Sequence, residues 1–360
     1  MDMTPKFWKG KRVLLTGHTG FKGSWLSLWL QSMGAEVTGY ALEPPTTPNL
    51  FDLGEVAQGM ESIIGDIRDL SLLREVLVEK EPQIIFHMAA QPLVRSSYLN
   101  PVETYSINIM GTVHLLEAAR STRDLKAIVN ITSDKCYQNR EWLRPYREDD
   151  PMGGFDPYSS SKGCAELISA AYRSSYFNEY EYDRHGVAIA TARAGNVIGG
   201  GDWAKDRLVP DLVNAFRQGH IAKIRNPNAV RPWQHVMEPL CGYLILAERL
   251  FKYGPNYSGG WNFGPQNDDT KPVQWLVERL TALWGKDAKW ELANSDGNHE
   301  AQNLKLDNSK ASNELNWRPV LELEHALHLT IDWVRKQLEG KDMREVTIEQ
   351  INSYMTKKKL

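Results

Sequence analysis

Nowhere in this sequence do about 18 apolar residues stand together, the length a helix needs to cross a bilayer, so no membrane-spanning segment is expected. Cysteine is scarce: Cys136, Cys164 and Cys241 are widely spaced and odd in number. That excludes a disulfide framework and any Cys/His cluster with metal-ligand spacing, so reduced thiols and no metal are expected. Neither sign of charge dominates. Forty-two Lys and Arg stand against 45 Asp and Glu, a net charge of −3. That balance argues against nucleic acid or an anionic membrane as a partner. The one evident basic run, Lys357-Lys358-Lys359, reads as a solvated end. Internal repeats and low-complexity stretches are absent as well. The opening residues Met1-Asp2-Met3-Thr4-Pro5-Lys6 lack the apolar stretch of a secretory signal, and a cytoplasmic protein is expected.

What is present is an alternation of short apolar runs with helical periodicity. Arg12-Val13-Leu14-Leu15-Thr16 reads as a fully buried strand. Phe21, Trp25, Leu28 and Trp29 recur at helical spacing between Gly20 and Met33, and Gly34 closes that helix. Glu36–Ala41 is the next strand, which completes one β-turn-α-β unit. Strands are expected again at 62–65, 84–88, 127–132 and 187–192, with helices at 72–78, 102–120 and 158–177. Such alternation predicts an α/β fold, a Rossmann-type doubly wound parallel sheet covered on both faces. After about residue 195 glycines and prolines punctuate shorter elements. We expect residues 1–195 to bind a dinucleotide and residues 196–360 to form mainly a smaller C-terminal substrate-binding lobe, interleaved with the first.

The segment Gly17-His18-Thr19-Gly20-Phe21-Lys22-Gly23 joins the first strand to the first helix. Glycine spacing of three and three in that context predicts a pyrophosphate cradle, with the helix N-terminus donating amides to the phosphates. Glu43 stands about twenty residues past the turn, where an acid can hold the adenosine ribose; Lys22 would suit a 2′-phosphate instead. The turn alone therefore leaves NAD and NADP both open. Asp66 and Ile67, after the third strand, are candidates for the adenine edge.

Two further segments carry chemistry. Tyr158 and Lys162 lie one helical turn apart, so a lysine charge can lower the phenol pKa while the lysine holds the nicotinamide ribose. Ser133-Asp134-Lys135 follows a strand, at the sheet end where ligands collect; Ser133 can bond a substrate hydroxyl beside an acid–base pair. Arg207 and Arg231 are candidate phosphate clamps, while His235, beside a tryptophan, reads as structural.

The order of these motifs, with His87-Met88-Ala89-Ala90-Gln91, Asn108-x-x-Gly111-Thr112 and Leu306-Asp307-Asn308-Ser309-Lys310, resembles the extended short-chain dehydrogenase/reductases over nearly the whole chain. An acid directly after the active-site serine narrows the resemblance to sugar-nucleotide 4,6-dehydratases. The segments Gly199-Gly200-Gly201-Asp202-Trp203 and Arg231-Pro232-Trp233-Gln234-His235-Val236 are similar to the branch acting on CDP-glucose.

The resemblance implies NAD as cofactor and a nucleotide-sugar substrate. It adds Ala89, Ala90, Asn108 and Thr132 to the cofactor contacts and Asn196 to the substrate pyrophosphate. It also implies that Asp134 is the acid at C6, and that helices 102–120 and 158–177 pair two subunits of a homo-oligomer. Most of the family has glutamate where this chain has Lys135. That lysine is either a neutral base at C5 or a charged group stabilising an enolate. A sugar-nucleotide epimerase and a non-catalytic dinucleotide sensor are the competing expectations.

Overall fold

A computed structural model describes residues 4–293 and 304–358; Met1–Met3 and Lys359 lie outside it. Seven parallel strands form the central sheet, in the order Gly259–Phe263, Ala188–Ala194, Ala127–Ile131, Ile84–His87, Arg12–Thr16, Glu36–Ala41 and Glu61–Ile64. They are β1 Arg12–Thr16, β2 Glu36–Ala41, β3 Glu61–Ile64, β4 Ile84–His87, β5 Ala127–Ile131, β6 Ala188–Ala194 and β10 Gly259–Phe263. β4 and β5 are buried at every position, as strands covered on both faces must be. The chain runs from β1 outward to β2 and β3, then crosses back to β4 on the other side. That reversal opens a crevice between the carboxyl ends of β1 and β4, where ligands bind in sheets of this kind.

One face of the sheet is covered by helices Leu70–Lys80, Gly111–Ala119 and Pro157–Ser175, the other by Phe21–Ser32 and Met237–Tyr253. The expected continuous helix 102–120 is broken. Short helical turns at Val94–Leu99 and Pro101–Tyr105 lead into a wide π-type turn, Ser106–Met110, before Gly111–Ala119. Asn108 sits in the wide turn, buried, with its amide bonded to Gln91 and Ser161 in neighbouring segments. A buried polar side chain bonded to other segments fits such a local departure from regular helix.

The chain beyond residue 195 is divided between layers. β7 Asn196–Ile198, β9 Val230–His235 and β11 Thr270–Pro272 make a three-stranded sheet, and β8 Ile221–Ile224 pairs with β12 Lys289–Leu292. β10, however, returns to the central sheet beside β6, and helix Met237–Tyr253 packs on β5 and β6. This helix has 17 residues, longer than the short elements expected there. It is buried from Met237 through Leu250, so no polar stripe marks its period in the sequence.

Candidate active site

The glycine turn sits at the β1 end of the crevice. Gly17 adopts φ +78°, and a Cβ there would stand 2.8 Å from the Ala89 backbone nitrogen. A Cβ on Gly23 would meet the Gly17 carbonyl oxygen at 2.1 Å, so the helix can approach the turn only as glycine. Gly20 precedes helix Phe21–Ser32 without a capping side chain, leaving the first amides of that helix to other acceptors. This arrangement fits the pyrophosphate of a dinucleotide. Thr19 is tied to the end of β2 through a bond from its hydroxyl to the Leu42 carbonyl at 2.8 Å.

Beyond β3, Asp66 is partly exposed and paired with Arg68, whose hydrogen bonds hold its carboxyl below the usual range. Ile67 is buried against Gly111. Ala89 and Ala90 are half-buried at the β4 end, where the Thr16 hydroxyl accepts from the Met88 and Ala89 amides, both at 3.1 Å. Glu43 is exposed past β2. Lys22 does not point toward that end of the sheet. Its ammonium lies 5.9 Å from the Tyr243 ring centre and feels the charges of Arg207, Lys162, Asp134 and Asp202. It therefore belongs to the catalytic end of the cleft and is no partner for a 2′-phosphate. Burial, then the nearby Arg207 and Lys162, push it down to about 7.

The Tyr158 helix starts with Asp156 as cap, accepting from the Ser159 amide at 2.9 Å, and Pro157 in the first turn. That start places Tyr158 and Lys162 on the side facing the Ser133 turn. Both are buried. Burial raises the Tyr158 phenol to about 12, with Ser133 and Arg207 as the opposing influences. Lys162 is held at about 8 by burial and donates to the Ile131 carbonyl at 3.3 Å. Relief of the phenol thus comes from Ser133 and Arg207, where the helical spacing had suggested Lys162.

Ser133 donates to Asp134 at 3.0 Å and accepts from the Lys135 amide at 3.2 Å, which closes a tight turn. Asp134 is buried, and burial raises its carboxyl above the ordinary range despite Lys135, Ser133 and Lys22. Lys135 is half-buried beside it. A carboxyl that keeps its proton more readily than a free one is suited to general acid work.

Asn196 opens β7, half-buried. Arg207 reaches the same region and is paired with Asp202 at 2.9 Å. Arg231 lies on β9, bonded to the Val230 carbonyl. His235 is fully buried with its ring edge-on to Trp25, a core position. Asn108 and Thr132 spend their side chains on protein partners: Asn108 on Gln91 and Ser161, Thr132 on Glu166.

Sequence reading missed the group that Thr132 meets. Glu166 accepts from the Thr132 and Thr191 hydroxyls at 2.5 and 2.6 Å and from Arg193 at 2.9 and 2.7 Å. Arg193 also donates to the Tyr137 hydroxyl, which donates to Asn262 on β10. Removing one member of a buried pair of this kind typically costs about 3–5 kcal/mol. The only signal in the sequence was an acid one turn beyond Lys162. Tyr243 was also missed; its hydroxyl is buried without a hydrogen-bond partner. Among the described residues no His, Cys, Asp and Glu group has the makings of a metal site, and no helix is long and apolar enough to cross a membrane.

A dinucleotide turn, a Tyr/Lys pair one helical turn apart and a serine–acid turn on one sheet end define a sugar-nucleotide-type short-chain dehydrogenase/reductase scaffold. The family model described as GDP-mannose 4,6 dehydratase matches residues 14–252, and the chain belongs to that family. The CDP-glucose 4,6-dehydratase of Salmonella typhimurium is 56% identical over 350 residues, covering 97% of this chain and 98% of that one. Among solved structures, an epimerase from Methanothermobacter thermautotrophicus superposes with a TM-score of 0.80 at 21% identity, over 95% of this chain and 96% of that one. The dTDP-glucose 4,6-dehydratase of Bacillus anthracis, solved with NAD, gives 0.75 at 24%, over 93% and 100%.

Proposed function

We propose that this protein is a cytoplasmic 4,6-dehydratase that converts CDP-glucose to its 4-keto-6-deoxy product with NAD, in deoxysugar synthesis for surface polysaccharide. The observation that carries the reading is Asp134: a buried acid, directly after Ser133, on the turn that faces Tyr158. An epimerase has no water to expel and no use for an acid there. The choice of the cytidine nucleotide rests on the 56% identity to the Salmonella enzyme.

When bound, NAD supplies reversible redox chemistry between C4 and C6 of the sugar, so the net reaction is loss of water. The helix amides after Gly17, Thr19, Gly20, Phe21, Lys22 and Gly23 hold its phosphates, and Asp66 and Ile67 border the adenine. Ala89 and Ala90 line the crevice, while Asn108 and Thr132 shape it from behind. Tyr158 takes the proton of the 4-hydroxyl, with Ser133 bonded to the same oxygen, and Lys162 fixes the nicotinamide ribose. The C5 hydrogen, acidified by the C4 ketone, passes as a proton to Lys135, and Asp134 protonates the departing C6 hydroxyl. The C5 proton returns from Lys135 as C6 is reduced. Asn196, Arg207 and Arg231 hold the diphosphate, Arg207 by exchanging Asp202 for a phosphate oxygen. The exposed apolar side chains Val102, Met110 and Leu167 lie on the helices we assign to contact with a second copy.

Incubation with CDP-, dTDP-, UDP- and GDP-glucose, read by the near-ultraviolet absorbance of the keto product in base, tests the reading. CDP-glucose is expected to be the preferred substrate, and deuterium placed at C4 should appear at C6. A better second nucleotide, or label that stays at C4, overturns it. Lys135→Arg puts a permanent cation where the base reading needs a neutral amine, and so removes the base while still serving an enolate. Exchange of C5 with solvent deuterium should fall by about 100-fold while C4 oxidation persists. Near-normal exchange would instead make Lys135 an enolate stabiliser.

A further inference from the structure

The Ser133 turn and the Tyr158 helix come from distant parts of the chain, yet the chemistry needs them in fixed register. The buried groups behind them supply one link. Thr132, directly before Ser133, bonds Glu166; Glu166 lies one turn beyond Lys162 on the Tyr158 helix. Arg193, on β6, clamps both oxygens of Glu166 and reaches forward to Tyr137 at the far end of the same turn. Both charges are nine-tenths or more buried. Every oxygen of Glu166 is therefore used, and the segment Thr132–Tyr137 is held at both ends.

We propose that Glu166 is the positioning residue of this site: it holds the Ser133 turn against the Tyr158 helix and keeps Lys162 cationic. The proposal rests on the dehydratase reading for its catalytic meaning, not for its geometry. The groups facing Lys162 leave Glu166 as its one anionic neighbour among the described residues. Cys136, on the turn, has its thiol pushed up by burial and is neutral. His87, on β4, is held at about 3 by burial and by Lys162 and is also neutral. Lys22, from the helix after the glycine turn, is a like charge only below about 7 and no anion at any pH. Tyr158 on the same helix is a neutral phenol. Burial alone would raise the Glu166 carboxyl, but the charge and bonds of Arg193 outweigh it and hold it low. A cationic Lys162, in turn, is the form that can donate to ribose hydroxyls.

Lysine labelled with carbon-13 at Cε lets the ionisation of Lys162 be followed by NMR in the full-length protein without substrate or cofactor; loss of the signal in Lys162→Met assigns it. In Glu166→Gln the Lys162 midpoint, near pH 8 at the start, should fall by about one pH unit. The alkaline fall of kcat/KM should move with it. Because the single variant leaves Arg193 buried and unpaired, Glu166→Gln/Arg193→Met provides the folded comparison, and the same downward shift is expected. An unmoved Lys162 midpoint in either folded variant overturns the proposal, as does a uniform loss of kcat with an unchanged pH profile. Lack of turnover on any nucleotide sugar would sink the dehydratase reading and leave the titration intact, so the two failures are distinguishable.

Discussion

Tyr158→Phe should lower turnover of CDP-glucose by about three orders of magnitude, within the range that a lost general base removes, while leaving the fold and NAD binding within a few-fold. The substitution deletes one hydroxyl from a buried ring and opens no cavity. Ser133 is not orphaned, because its hydroxyl already donates to Asp134 at 3.0 Å. Lys162 and the glycine turn are untouched, so cofactor affinity has no reason to change much. The pH dependence gives a second readout. With the phenol at about 12, its ionised fraction at neutral pH is small and grows tenfold per unit, so kcat/KM of the native protein should climb with pH. The climb should end where Lys162 gives up its proton, near 8. In Tyr158→Phe that climb should be absent from the residual rate. Single-turnover absorbance of reduced nicotinamide measures the step directly. Retention of more than a tenth of native activity would remove Tyr158 from the role of base and reopen the sensor reading.

The parts of this site readable in the sequence are those written in local spacing. Gly17, Gly20 and Gly23 needed only the strand before them and the helix after them. Tyr158 and Lys162 needed only a helical turn. The central sheet followed from apolar runs too short for helices; its strand order did not, because pairing joins segments far apart in the sequence. What escaped depends on long-range contact. Glu166, Thr191, Arg193, Tyr137 and Asn262 are ordinary residues one by one and become a network only when β5, β6, β10 and the Tyr158 helix are side by side. Helix Met237–Tyr253 escaped because its run Pro239–Ala247 carries no charged residue to mark a helical period, and β10 because its Gly259-Gly260 start reads as a turn. The direction of Lys22 also could not be read, since a residue in a tight turn can face either end of the cleft. Its position beside Asp134 and Tyr243, not its charge, decides what it can touch.

Asp134→Asn should separate the two halves of the reaction. Asparagine keeps the shape and the oxygen that accepts from Ser133, so the turn should hold and C4 oxidation by the Tyr158 step should proceed within a few-fold of native. An amide has no transferable proton for a departing hydroxyl, and loss of water should fall by about 10²–10⁴-fold. The variant should then accumulate reduced nicotinamide and a 4-keto sugar that still carries its C6 oxygen, where the native protein regenerates its cofactor within each turnover. Rapid quench with mass detection distinguishes these species by the mass of one water. The physical basis is the burial that raises the Asp134 carboxyl against the pull of Lys135, Ser133 and Lys22. It keeps a proton on the acid at a pH where a free aspartate has lost it. Raising the pH should therefore slow water loss in the native protein before it slows C4 oxidation, because the acid loses its proton as the base gains competence. If Asp134→Asn instead stops the reaction before nicotinamide is reduced, as Tyr158→Phe should, then Asp134 belongs to the first step and the acid at C6 lies elsewhere. The order of the two blocks, read in the same single-turnover trace, thus assigns each residue to its own bond.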